Sequence, residues 1–186
     1  KAHYSSSIIV KSQSMYMVTE DELWDIMRDV NADVLQALRD LPFSEDIATE
    51  VAKDVEIGAM TEPEHLTAAH VNSFLLTRRI PVREERGSGW KTRIADHATE
   101  SGVNRATCMG DAMRHDTADA YVWMLLSILP LSGSVNLWKR DVKRAFKRLP
   151  IAQRHFRMAG AVWTHSGQRW FSRHLGMPFG TTSAGA

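Results

Sequence analysis

The sequence predicts an α+β fold, in which a helical N-terminal lobe precedes short strands in an antiparallel sheet. Apolar residues in the first third return at helical spacing behind helix-start signals. Beyond Arg78 the pattern shortens to strand-length runs punctuated by glycine and proline. The charge also changes sign along the chain. The 186 residues carry a formal net charge of +1, but acids outnumber bases from Lys1 to Glu64, and after Leu137 the only acid is Asp141. These shifts divide the chain into a lobe over 1–77 and a second region over 78–186, and they point the second region toward a polyanion.

Thr19-Glu20-Asp21-Glu22 is a capping box. It starts a helix whose apolar stripe, Leu23, Ile26, Met27, Val30, Val34, Leu38 and Leu41, is stopped by Pro42. Ser44 is expected to cap a second, acidic helix with Ile47, Val51 and Val55 on one face. Pro63 is expected to start a third, with Leu66, His70, Phe74 and Thr77 along one side. Arg79-Ile80-Pro81-Val82-Arg83 reads as an edge strand, because Pro81 cannot donate to a central ladder. Residues 84–89 make a charged turn and 90–96 return as the second strand of a basic hairpin. Asp116 caps a helix expected to bury Val122, Leu125, Leu126 and Leu129, and 131–135 connect it to a strand over 136–142. A short helix over 145–149 and a hairpin of 155–163 with 168–175, turning at His165-Ser166-Gly167, complete the readable chain.

Several function classes are excluded or disfavoured. No run approaches the roughly 20 apolar residues of a membrane helix, so no membrane partner is expected. Cys108 is the single cysteine, which rules out an intrachain disulfide or a multi-cysteine zinc site and fits an intracellular location, cytoplasmic or nuclear. The histidines show no metal-ligand spacing and read as structural. Gly87-Ser88-Gly89 lacks the Lys-Ser/Thr ending of a phosphate loop.

The stretch that carries chemistry is Leu137-Trp138-Lys139-Arg140-Asp141-Val142-Lys143-Arg144-Ala145-Phe146. An apolar and basic strand ends in one carboxylate, then turns through a small residue to an aromatic. A strand-end carboxylate can hold a divalent ion in a two-metal site that stabilises attacking and leaving oxygens. Backbone amides after it can approach a triphosphate, and an aromatic five positions on leaves no room for a 2′-hydroxyl. The bland reading is an aspartate paired with Arg140 or Arg144 and a phenylalanine in a core.

This stretch resembles motif A of reverse transcriptases, and the chain from Arg79 to Ala186 follows that family's order. The two basic strands resemble the fingers hairpin, where Lys91 or Arg93 would meet the incoming triphosphate. Ser101-Gly102-Val103-Asn104 is similar to the segment that follows it. His174-Leu175-Gly176-Met177-Pro178-Phe179-Gly180 resembles motif B, in a form closer to retrotransposon than retroviral enzymes. The resemblance implies reverse-transcriptase-like fingers and an incomplete palm. Asp141 would be the catalytic carboxylate and would hold metal with the Val142 carbonyl. Lys91, Arg93, Arg144, Ala145, Phe146, Phe179 and Gly180 would bind nucleotide. Two Mg2+ or Mn2+ ions, deoxynucleoside triphosphates, an RNA or DNA template-primer and the remainder of a larger polyprotein are the implied partners.

Two departures qualify the resemblance. Ala95-Asp96-His97 stands where relatives often carry an acidic pair or an aspartate followed by an aromatic. The paired aspartates of motif C do not occur before Ala186, so this chain alone is expected to be a fragment without polymerase activity. Two rivals stay open, an RNA-templated RNA polymerase palm and a non-catalytic or degenerate basic module that binds nucleic acid. Phe146 argues against the first, because a ribose needs a smaller neighbour.

Overall fold

Thr19 caps the first helix, α1 (Glu20–Asp25), as its sequence predicts. Its hydroxyl accepts from the Glu22 amide at 3.1 Å, and the Glu22 carboxylate accepts from the Thr19 amide at 2.7 Å. The structure, a computed structural model, describes residues 18–87, 89–107, 118–136 and 144–178. The chain divides into two compact units, Lys1–Met109 with Arg144–Ala186, and Gly110–Lys143.

In the larger unit the long helix expected after Thr19 is broken at Ile26, and α2 (Met27–Ala37) continues from there. Ser44 is the first residue of α3 (Ser44–Glu56) and not its cap. Phe43 occupies the N-cap in the left-handed region, φ 66, with no side-chain cap bond. Ile47 and Val51 are buried as expected. The helix expected at Pro63 starts later. Glu64–His65 is drawn into a short strand, β1, and Thr67 then caps α4 (Ala68–Ser73) in a box closed by His70.

Four longer strands join β1. They are β2 (Leu76–Arg86), β3 (Gly89–Asp96), β4 (Gly160–His165) and β5 (Gln168–Arg173), in the order β1-β5-β4-β2-β3. The sheet is mixed, whereas the sequence predicts an antiparallel one. β2 and β4 run parallel where Leu76–Arg78 meets Gly160–Val162, a pairing open to them because a long connection separates the two in the chain. Pro81 obeys the edge rule. It pairs only with Ile94 of β3, beyond the reach of β4. The hairpin strands run closer to their turn than expected, to Arg86 paired with Gly89. Residues 155–158 are not strand but part of a 3-10 turn, Gln153–Met158. The turn between β4 and β5 is where the sequence places it, with Ser166 at φ 52 and Gly167 at φ 73, both left-handed as a tight hairpin turn requires.

Alternation along the strands gives the sheet two apolar faces. Val162, Leu76 and Phe171 pack with Val34 of α2 and with Leu38 at its C-cap. Ala161, Trp163 and Ile94 pack with Ile47 and Val51 of α3 and with Met60. The helices of the first third, α2 and α3, therefore cover the strands that follow them in the chain. Buried Asn31 fixes α2 to the sheet. Its amide donates to the carbonyls of Val71 and Phe74 and its oxygen accepts from the Leu76 amide, each at 2.8 Å. A short helix, α5 (Val103–Ala106), follows β3.

In the smaller unit α6 spans Ala118–Ser132 with Pro130 inside it. The sequence predicts burial of Val122, Leu126 and Leu129, but they are 51%, 57% and 48% exposed. The helix is apolar almost all round, so its periodicity selects no face to bury. Among the described residues no helix is long and apolar enough to cross a membrane.

Candidate functional site

At the base of the β2–β3 hairpin, paired positions Arg79 and Asp96 both turn toward α3. Arg79 is 1% exposed and Asp96 3%. The Arg79 guanidinium donates to Asp54 of α3 at 3.3 Å and to the Met60 sulfur at 2.8 Å, and its Nε lies 3.2 Å from Asp96 Oδ1. His174 Nε2 lies 3.2 Å from the same Asp96 oxygen. Among the described residues neither Asp96 oxygen has a partner in strict hydrogen-bond geometry, so these two contacts act on it chiefly through charge.

Asp54 gathers two more cations from the chain just past Asp141. Arg144 donates to Asp54 and, at 2.5 Å, to Glu50, and Lys147 donates to Asp54. Three cations thus face three carboxylates, with His174 as the seventh member. Burial pushes the Asp96 carboxyl upward, but the charges of Arg79, His174 and Lys147 outweigh it and hold Asp96 at about 2. Burial and the neighbouring Arg79 charge pull the Lys147 ammonium below its ordinary range, against the hydrogen bond and charge of Asp54.

The backbone completes the junction. Pro150 bridges Gly176, the Ile151 amide donates to the Leu175 carbonyl at 2.8 Å, and the Met177 amide donates to the Leu149 carbonyl at 2.9 Å. Gly176 is required here, because a Cβ would collide with the Lys147 carbonyl. The chain following Asp141 and the chain leading to Phe179 are therefore strapped to each other. Beside this junction lies a groove of about 530 Å3, whose lining includes Leu23, Val103, Ile151, Met158, Met177 and Pro178. A cavity of about 20 Å3, the size of a single water, touches Thr77, Asp96, His174 and Pro178.

No family model, curated protein or solved structure matches this chain. The site therefore rests on its own geometry.

The expected site residues are distributed as follows. Asp141, Val142, Phe179 and Gly180 lie outside the described residues. Among the described residues no group of three His, Cys, Asp or Glu side chains could hold a metal ion. Lys91 is exposed on β3, and no carboxylate pairs with it among the described residues. Arg93 is 3.1 Å from Glu84. Arg144, expected near a triphosphate, is occupied by Glu50 and Asp54, and its own backbone is left-handed at φ 58. Ala145 is exposed, and Phe146 is half-buried at the start of a 3-10 turn, Phe146–Arg148.

Sequence reasoning did not single out Glu50, Asp54, Arg79 or Lys147. One signal was legible, the Arg79 and Asp96 pair at symmetric places in a predicted hairpin. Asp54 was not, because on an acidic helix a carboxylate bound for the interior looks like one bound for water.

Proposed function

We propose that the chain forms the fingers and part of the palm of a reverse-transcriptase-like polymerase, whose intact parent carries out template-directed nucleotidyl transfer from deoxynucleoside triphosphates. One observation carries this reading. Three segments that the resemblance assigns to one reaction, the basic hairpin, the chain after Asp141 and the chain before Phe179, meet in one buried cluster through Arg79, Asp96, Lys147 and His174. They are far apart in sequence, and nothing in composition alone requires them to meet. The shared sheet of β2–β3 and β4–β5 supports the same reading.

In this reading Asp141 is the carboxylate at the reacting centre, with the Val142 carbonyl beside it. Asp141 and the Val142 carbonyl would hold divalent ions, Mg2+ or Mn2+, which when bound would supply charge stabilisation for the attacking and leaving oxygens. Arg144 and Lys147 fasten the segment to α3, which leaves Lys91 as the hairpin cation for the triphosphate. By the same resemblance Ala145, Phe179 and Gly180 would bind the nucleotide, and Phe146 would exclude a 2′-hydroxyl.

The test is primer extension on an RNA template by this chain joined to the residues that follow it in its reading frame. Extension that disappears in Asp141→Asn supports the reading. Phe146→Val is expected to raise ribonucleotide incorporation by an order of magnitude or so, given that such a steric gate is worth about 1–3 kcal/mol. A folded, completed protein that binds primer-template but extends nothing overturns the polymerase reading in favour of a non-catalytic nucleic-acid module.

A further inference from the structure

We propose that Phe43, Arg83 and Trp90 form a stacking platform for an unpaired base of single-stranded nucleic acid. The Arg83 guanidinium lies 4.2 Å from the centre of the Phe43 ring and 4.9 Å from that of Trp90. Strand register explains half of this. Arg83 pairs with Thr92 and Glu85 with Trp90, so Arg83 and Trp90 are diagonal neighbours on one face of the hairpin. Phe43 arrives from the N-cap of α3 in the left-handed region, at φ 66, a conformation that destabilises a residue with a bulky side chain. Strain of this kind persists only where surrounding structure enforces it, and it concentrates at functional sites.

The stack is not a core. Trp90 is 60% exposed and Phe43 37%. Nor is it an ion-pair anchor, since among the described residues no carboxylate pairs with Arg83. What remains is an open indole held by a cation. Its free face suits a nucleobase, and its guanidinium suits the phosphate next to that base. Lys91, the next residue in the strand, is exposed on the opposite face of the hairpin, so the charge of the platform itself is that of Arg83. Exposed Glu85 lies opposite Trp90, so the patch lacks the continuous apolar area that a protein partner would cover.

This inference rests on nucleic acid being the partner but not on catalysis, which makes it separable by experiment. The measurement is binding of the chain to a short labelled oligothymidylate and to an abasic strand of equal length, at low and moderate salt. Trp90→Ala and Trp90→Leu are expected to weaken oligothymidylate binding about tenfold, the scale of one lost base stack. Both should leave the abasic strand bound as before, while Arg83→Ala weakens both strands. Trp90→Leu keeps apolar area without a π face, and the exposed position leaves the fold intact in either variant. Equal affinity of the unmodified chain for the two strands, or unchanged oligothymidylate binding in both Trp90 variants, overturns the platform. Failure of the completed protein to extend a primer overturns the polymerase reading alone, because base-dependent binding at Trp90 does not require it.

Discussion

At the scale of single residues the buried charges determine the behaviour with pH. Asp96 lies among Arg79, His174 and Lys147, which hold its carboxyl at about 2 against the opposing effect of burial. Its folded-state value lies below that of the unfolded chain, near 3.9, so Asp96 stabilises the fold at every pH above about 4. That contribution, roughly 2 kcal/mol, is lost as pH falls from about 4 through about 2. Urea unfolding followed across this range should show the decline, and Asp96→Asn should remove most of it. The variant should also lower stability at neutral pH by about 3 kcal/mol, because Arg79 keeps its charge and loses one of two carboxylates. A pH profile with the same acid-limb slope in both proteins would contradict this account of Asp96.

At the scale of elements the close contact of Gly176 with the Lys147 carbonyl holds the two chemistry-bearing segments together. Gly176→Ala should destabilise the protein by about 1–3 kcal/mol, the range for overpacking. Because the added methyl meets backbone and not a flexible side chain, the strap has to open. Hydrogen exchange should therefore show the amides of Ile151 and Met177 losing protection ahead of those in β4. Loss spread evenly over the sheet would mean that the strap is not a separate unit. Much of this architecture was legible in the sequence. The Thr19 capping box, the Ile47 and Val51 face, the Pro81 edge and the Ser166-Gly167 turn all rest on local chemistry, and local chemistry decided them. The parallel pairing of β2 with β4 was not legible, because long-range contacts leave no periodic trace. The N-cap at Phe43 was hidden by Ser44 beside it, the better capping residue by propensity. The stretch around Asp141 is a local string of residues, while the cluster that brings the segments together is built from residues whose chemistry looks ordinary in isolation.

At the scale of the whole chain, the acidic first part and the basic last part find each other within the larger unit. Glu20 and Asp21 take Arg157, and Glu50 and Asp54 take Arg144 and Lys147. Part of the charge asymmetry that pointed to a polyanion is thus neutralised internally, and the nucleic-acid reading rests more on Lys91 and Arg83 than on the number of Lys and Arg. Apolar surface is the opposite case, because α6 leaves it unsatisfied. Trp123 is 70% exposed, Leu126 57% and Leu131 88%, on a helix whose only charge is Asp119. Contiguous apolar surface of this kind drives association when nothing covers it. The chain purified alone should therefore associate in a concentration-dependent way, as sedimentation equilibrium would report. Salt should leave the association intact, because the contact is apolar and not ionic. Trp123→Lys with Leu126→Lys places two charges one turn apart on α6 and should return the chain to a monomer without lowering its melting temperature, since neither side chain is buried. Association that persists in the double variant, or that salt dissolves, would move its cause from α6 to the charged surfaces of the other unit.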